Sequence, residues 1–413
     1  MRNSYLIFVL AVCFMQHSVA QENSIVYDKG TGMEISANNG DYLFKIGGFI
    51  QPAVKSVSDG ILSFEDTKSE QIFKSKASVF MLSGTMKNEK LRFLIMTDFS
   101  LDTPMQEAWV AYDFSKNASI TFGQMLSFTN NREMMYRENN LQMNDRSALS
   151  QSFSNSGREF GVFVQTNFDS PIGVFAPMVA ITSGDGKNSF GNDSRDVDKG
   201  KYKFGGRLDY YPFGSFSVGN QNTSSDIVKE NKLKWVLGAA GSMNNGASNE
   251  VGEGHGDFIL YDANGLESFP NYNKLYFDSL IKYNGFSMLF EYVDSWADSL
   301  DEIYTTDGAN GSNNADLILS PTQISNYMVL GNQYNFQLGY LTNNGLSIDI
   351  RYGESTQEFE ANQNSILEAS KNFAAGLTKY FNNNIKLQFL YNNTKYDYGI
   401  KTTSAEVLMQ IVF

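Results

Sequence analysis

Cysteine, histidine and proline are nearly missing from this chain, at one, two and seven in 413 residues. So scarce a set of thiols and imidazoles leaves no disulfide framework and no Cys/His metal cluster. Long apolar runs are also lacking. Beyond residue 20 no stretch approaches the ~18 apolar residues that a membrane-spanning helix needs, and helical periodicity is hard to find anywhere. Basic charge is in deficit, with 32 Lys and Arg against 45 Asp and Glu, which argues against a nucleic-acid partner. No linker, low-complexity tract or charge block divides the chain into domains.

The single apolar run sits at the start. Arg2 is followed by "YLIFVLAVCFM", then by "HSVA" and polar "QENS". A basic start, a short apolar stretch and small residues at Ser18 and Ala20 describe a signal peptide over residues 1–20. Val12 in "LAVC" stands where a lipoprotein box needs a small residue, which argues against lipidation. Cleavage after Ala20 would remove Cys13 and His17, leaving His255 as the only histidine. Arg2 would go too, and no acid with it, so the remainder is more acidic still.

What the chain has in quantity is alternation. "KLYFDSLIKY" sets Leu275, Phe277, Ile281 and Tyr283 against Asp278 and Lys282. Asn284-Gly285 follows, a strong two-residue hairpin signal, and "FSMLFEY" then sets Phe286, Met288, Phe290 and Tyr292 against Ser287 and Glu291. "LSIDIRYG" repeats the pattern, with Ile348 and Ile350 against Ser347, Asp349 and Arg351. The final "AEVLMQIVF" keeps a period of two up to Phe413. Charges fall on one face of these strands, and aromatics gather near the ends of the other. That is the pattern of a lipid-facing strand with aromatic girdles, and only a closed sheet can span lipid without an unpaired edge.

These observations predict an all-β fold: a transmembrane antiparallel β-barrel of sixteen strands with short periplasmic turns and long outer loops. Residues 21–40 are expected to be a short periplasmic segment and residues 41–413 the barrel. Long outer connections are expected at 56–70, 126–158, 184–199, 244–272, 297–326 and 356–369, and residues 213–231 as one longer periplasmic turn. Phe413 should close the barrel beside the first strand, near residues 42–51, and meet the barrel-assembly machinery there. The expected setting is the bacterial outer membrane, with lipid against the outer face.

"FKIGGFIQP", "KASVFMLSGTM", "FLIMTDFS", "QEAWVAYDF", "ASITFGQMLSF", "GREFGVFVQ", "GRLDYYPFG", "LIKYNGFSMLFEY" and "EVLMQIVF" occur in that order. As an ordered series they resemble the phosphate-selective porin O and P family over nearly the whole chain after residue 20. The resemblance implies a sixteen-stranded homotrimeric outer-membrane porin with inward-folded loops, passing phosphate or other small anions. The chain departs from the family pattern in "FKSKAS", which keeps only Lys74 and Lys76, and in Met125–Phe128 after the "GQ" motif.

Charge on the strand faces gives candidate solute contacts. Lys74, Lys76, Lys201, Lys203 and Arg207 fall on the lumen phase, as do the acids Glu107, Asp209, Asp278, Glu291, Asp349 and Glu406. Basic groups are in slight excess there. Loop 126–158 is expected to fold inward and carries Arg132, Arg137, Arg146 and Arg158, together with Glu133, Glu138 and Asp145. A guanidinium can hold a phosphate in a fork of donors, but one already paired is largely neutralised. The expectation is a mixed-charge eyelet and a passive channel for small solutes with modest anion preference. A structural or adhesive barrel is the alternative. A barrel esterase or phospholipase would need His255 beside a serine and an orienting group; the reading favoured for His255 is a solvated loop residue, so no enzyme is expected. "DANG" at Asp262–Gly265 lacks most ligands of a calcium loop and reads as a turn. No cofactor is implied.

Overall fold

The computed structural model describes residues 24–28, 32–61, 68–86, 89–187, 201–262, 264–298, 304, 324–360, 364–382 and 384–413. The expected signal peptide, residues 1–20, lies outside the described residues. A hairpin of β1 (Ser24–Asp28) and β2 (Gly32–Ala37) comes first. The barrel follows with β3 (Tyr42–Ile61), β4 (Lys68–Met86), β5 (Leu91–Asp98), β6 (Met105–Ser115) and β7 (Ala118–Leu126). Next are β8 (Arg158–Thr166) and β9 (Phe168–Ser170), two pieces of one stave, both paired with β10 (Gly173–Thr182). Then come β11 (Lys203–Tyr211), β12 (Lys234–Asn244), β13 (Tyr272–Tyr283), β14 (Phe286–Ala297) and β15 (Gly331–Leu341). The last four are β16 (Leu346–Gln357), β17 (Ser370–Tyr380), β18 (Ile385–Tyr396) and β19 (Ile400–Val412).

With β8 and β9 counted once, β3 to β19 make sixteen antiparallel staves. β19 pairs with β3, through Ile411↔Ile50 and Val412↔Phe49, and so closes the barrel. Phe413 and Gly48 exchange backbone hydrogen bonds of 3.0 and 2.9 Å at that seam. β2 occupies the remaining length of the same edge of β3, from Met33↔Ile46 to Ala37↔Tyr42. The expected N-terminal segment 21–40 therefore includes a hairpin that lengthens the wall below β19.

Two expectations about connections need correction. Residues 56–61 and 68–70 are strand, not loop: β3 and β4 stay paired through Val57↔Glu70 and Asp59↔Lys68. Polar residues on both faces hid this, because above the lipid neither face of a strand has to be apolar. The 22-residue connection between β11 and β12 is also no simple turn. It folds up into the lumen, as described below.

The burial pattern is inverted relative to a soluble domain. In β16, Ile348 and Ile350 are exposed while Ser347, Asp349 and Arg351 are buried. In β13, Leu275 and Phe277 face out while Lys274, Asp278 and Lys282 face in. An exposed apolar belt around a polar interior is a lipid-facing wall. Aromatic rings mark its rim, as in the Phe168, Phe175 and Tyr210 stack at the periplasmic end, with Phe175 and Tyr210 centroids 4.6 Å apart.

Candidate functional site: a lumen filled from both ends

The outer connection between β7 and β8, residues 127–157, crosses the lumen. It contains a short helix, α1 (Ala148–Phe153), started by Ser147, whose hydroxyl accepts the Ser150 amide at 3.2 Å. α1 buries Leu149 and Phe153 against Ala240, Tyr276 and Val293 of the wall and Val329 and Leu367 of the outer loops. The rest of the crosspiece is seated on inward-facing glycines. A Cβ at Gly205 would strike Thr129, and one at Gly238 would strike Arg132, Arg207 and Asp278. One at Gly339 would strike Gln142, while one at Gly376 would only come into ordinary contact with Met143, at 3.5 Å. Side chains of the crosspiece occupy the space the first three of these wall positions leave open.

Charge pairing completes the seat. Arg132 and Arg207 share Asp209 and Asp278, with Arg132 Nη2 and Arg207 Nε each 2.8 Å from Asp209 Oδ1. All four side chains are buried, so this is a neutral two-by-two cluster. Arg137 grips Glu107 of β6 with two donors at 2.9 Å. Arg158 donates to both oxygens of Glu138 at 2.9 and 3.0 Å, and Arg146 Nη2 reaches the same carboxylate at 3.3 Å. Glu133 accepts from Arg351 of β16 and from Ser147 and Ser150. Lys76 bonds both Asp145 of the crosspiece and Glu406 of β19, while Lys74 lies 3.3 Å from Glu406. Lys203 bonds Glu159. Lys201 stands exposed at the outer end of β11, its amide bonded to Asn245.

Eight of the nine expected cations thus stand against a carboxylate, and Lys201 is the exception. Removing one partner from such a buried pair costs about 3–5 kcal/mol, because the other charge is left uncompensated. In the crosspiece, burial pushes the Glu138 carboxyl up, but Arg158 and Arg146 override it and hold it well below the usual carboxylate range. Asp145 behaves alike: burial raises it, and Lys76, Lys55 and Lys74 together bring it below its ordinary value.

The connection 212–233 enters from the periplasmic side. Phe216 packs on Val236, Leu280 and Leu289 of the inner wall. Lys282, fully enclosed, caps the carbonyls of Asn220 and Thr223 at 2.7 Å and lies over the Phe216 ring. Asn220, Asp226 and Glu230 knit the segment to itself, and Asp226 also accepts the Gly285 amide at 2.7 Å. The sequence reading missed this element, although its alternation of serine, asparagine and acid is what an interior of polar walls requires. The inward glycines were legible in principle, since each lies on the polar phase of its strand.

Cavities on both sides of these insertions include two outer and two inner ones. The outer pair, of about 430 and 360 Å³, share Arg146 in their walls. The inner pair measure about 840 and 160 Å³. No lining residue is common to an outer and an inner cavity. Glu138 and Arg158 bound the 430 Å³ outer cavity, and Arg132 and Tyr136 bound the 840 Å³ inner one. Arg137, bonded to Glu107, lies in the chain between Tyr136 of the inner lining and Glu138 of the outer one.

Among the described residues no group of three or more acids, histidines or cysteines is placed to hold a metal ion. His255 is buried, not solvated as expected. Its Nδ1 lies 2.7 Å from Asp185 and its Nε2 3.1 Å from Asn244. At Asp262–Gly265 the Gly265 amide bonds Asp262 O at 3.0 Å, which is a turn.

No family model matches the chain, and no curated protein matches it. Solved structures do. The outer membrane channel DcaP of Acinetobacter baumannii is 14% identical with a TM-score of 0.52, over 90% of this chain and 97% of that one. Salmonella typhi OmpF, in complex with daunomycin, is 11% identical with a TM-score of 0.51, over 94% and 100%. Vibrio cholerae OmpT, in a trimer form, is 9% identical with a TM-score of 0.51, over 90% and 99%. This is the fold of outer-membrane porins. Such identities carry the fold alone. The apolar belt of the barrel agrees with it and places the protein in an outer membrane.

Proposed function

We propose that this barrel is a diffusion channel for small hydrophilic solutes, with only a modest preference for anions. The observation that carries the reading is the pair of cavities of about 430 and 840 Å³, one reaching the outer loops and one the periplasmic turns, separated by a thin ion-paired layer. Arg137 is the most accessible part of that layer, since a third of its side chain is exposed while Glu107 is enclosed. Solutes pass beside the crosspiece along β5, β6 and β8, each of which lines both cavities.

Fixed charge in a narrow mouth raises the local concentration of the opposite ion. Here most lumen cations are neutralised by a partner, so anion preference is modest and phosphate is one solute among several. Lys74 and Lys201 retain the most exposure to water. The resemblance to the phosphate-selective porin O and P family, and the OmpT trimer form, support a trimeric assembly. A structural barrel is the second reading, favoured by the bonds that tie the crosspiece around the wall. Single-channel conductance of the purified protein in planar bilayers separates the two. Discrete current steps with a small anion-directed reversal potential are expected, and a silent barrel would sustain the structural reading.

A further inference from the structure

Residues 248–257, around the "GEGHGDF" motif, form a strap over the end of the crosspiece. Val251 packs on Leu149 and Phe153 of α1. Glu253 accepts the Ser154 hydroxyl and, at 3.1 and 3.4 Å, the amides of Asn155 and Ser156. His255, its side chain enclosed, ties the strap to the wall. Asn155, Ser156, Asp185 and Glu253 all line the outer cavity of about 430 Å³.

The hydrogen bonds around His255 fix its protonation. Asn244 Nδ2 donates to the carbonyls of Gly184 at 3.0 Å and Gly252 at 3.1 Å, so its Oδ1 is the atom that faces His255 Nε2. Nε2 must therefore donate. Nδ1 must donate as well, to the Asp185 carboxylate at 2.7 Å. An imidazolium has an N–H on both nitrogens, whereas a neutral ring has one N–H and one lone pair. Losing a proton would turn a lone pair on Asp185 or on Asn244 Oδ1, and turning the Asn244 amide over would forfeit both carbonyls. Gly184 closes another side of the site, since a Cβ there would meet Asn244 Oδ1 and His255 Cε1 at 2.5 Å. Further charged groups on the surrounding elements are Lys187, bonded to the Thr103 carbonyl, Glu253 and Asp257 of the strap, and Lys203 of β11, paired with Glu159.

We propose that His255 is a proton-operated staple. Charged, it locks the strap to Asp185 and to β12 and so holds the end of the crosspiece; neutral, it releases one of the two. A histidine changes charge between about pH 5 and 8. The staple is present on the acid side and is lost as pH rises through the ring's transition. Loosening reaches the outer cavity through Asp185, whose charge then stands bare on its wall, and through Glu253, which holds residues 154–156. The inference holds whether or not the barrel conducts.

The test follows the purified barrel in detergent from about pH 5 to 8. Isotope-labelled histidine reports the ring by NMR, with His255→Gln to assign it, and hydrogen exchange is scaled to the intrinsic rate at each pH. The ring should carry two protonated nitrogens at the acid end and lose one on alkalinisation. Over the same range protection of residues 154–157 and 183–187 should fall about fivefold or more, the effect of one buried group left without its partner. His255→Gln should abolish that response. Glu253→Ala should leave 183–187 responsive and remove the response of 154–157. A ring of constant charge over the range, a titration with no change in protection, or a pH response that survives His255→Gln would each overturn the proposal. So would a response of 154–157 that persists in Glu253→Ala. The first two outcomes are read on the wild type and stand even if a variant fails to fold.

Discussion

Gln337 on the inner wall of β15 donates to Gln142 Oε1 across 2.6 Å, and the same nitrogen lies 3.4 Å from Ser224 Oγ. One wall side chain therefore joins the outer crosspiece to the periplasmic insertion. Its Oε1 meanwhile accepts from Arg351 Nε at 2.8 Å, and Arg351 in turn holds Glu133. Gln337→Leu should leave Gln142 and Arg351 short of a partner, at about 1–3 kcal/mol for each unsatisfied buried group. Hydrogen exchange should then rise in both 127–157 and 212–233. A rise confined to one insertion would show that they are not coupled here.

Ion selectivity should follow the lysine pair of β4. Lys76 is bonded to Asp145 and Glu406, and Lys74 approaches Glu406. Lys74→Glu with Lys76→Glu reverses two charges and strips the partners from two acids. Reversal potential in a salt gradient should move clearly toward cations, and open-channel noise should grow as Asp145 lets the crosspiece shift. An unmoved potential would take both lysines out of the conducting path.

The facing of β16 has a sharp test. Ile350 is 44% exposed on the lipid side, and Ser347 is 4% exposed on the lumen side. Ile350→Arg should cost about 2–4 kcal/mol toward the bilayer midplane, measured by urea unfolding in vesicles. Ser347→Asn should cost much less. Equal penalties would mean that the strand phase is wrong.

Acid should not readily break the Glu138 and Asp145 ion pairs. Both carboxyls lie below their ordinary values of 4.5 and 3.8 in the folded barrel. A group depressed on folding stabilises above its unfolded value, and that stabilisation is lost only as pH falls through the folded one. The two carboxyls should therefore stay ionised from neutrality down to the ordinary carboxylate range, read in infrared difference spectra of wild type against Glu138→Gln and Asp145→Asn. A protonated-carboxyl band from either group already near pH ~6 would contradict the pairing.

Phe413 is bonded through both its amide and its carbonyl to Gly48. Its ring also lies over that residue, because a Cβ on Gly48 would meet Phe413 Cζ at 3.0 Å. Deleting Phe413 should slow closure of the seam, seen as a loss of heat-modifiable migration on gels. Wild-type assembly kinetics in the deletion would remove the closing role.

The barrel itself was legible because lipid imposes a one-sided rule on every strand: Ile348 and Phe277 must face out, Asp349 and Asp278 must not. Strand ends were harder to place. Residues 56–61 pair as strand outside the lipid, where no apolar face is demanded. The lumen was the least legible part. Arg132, Arg207, Asp209 and Asp278 are all on the expected faces, but the sequence shows only an excess of cations, not which carboxylate each one meets. That depends on contacts between residues over seventy positions apart, as Arg207 and Asp278 are. The segment 212–233 was expected as a periplasmic turn, but its inward fold was not legible, because a largely polar insertion inside a polar lumen looks like any solvated connection.

The glycines at 205, 238 and 339 bear on how such a protein can change over time or be engineered. The shape of the crosspiece is written largely in the wall that receives it, on strands as far as 197 positions from the residue they receive, as Gly339 is from Gln142. Transplanting residues 127–157 into another barrel would carry the arginines across without their moulds, and the graft should not reproduce this constriction. Conversely, a single side chain gained at one of those wall positions could remodel the passage while leaving every residue of the loop intact. Variation in what the barrel admits is therefore to be sought at wall positions that themselves carry no side chain at all.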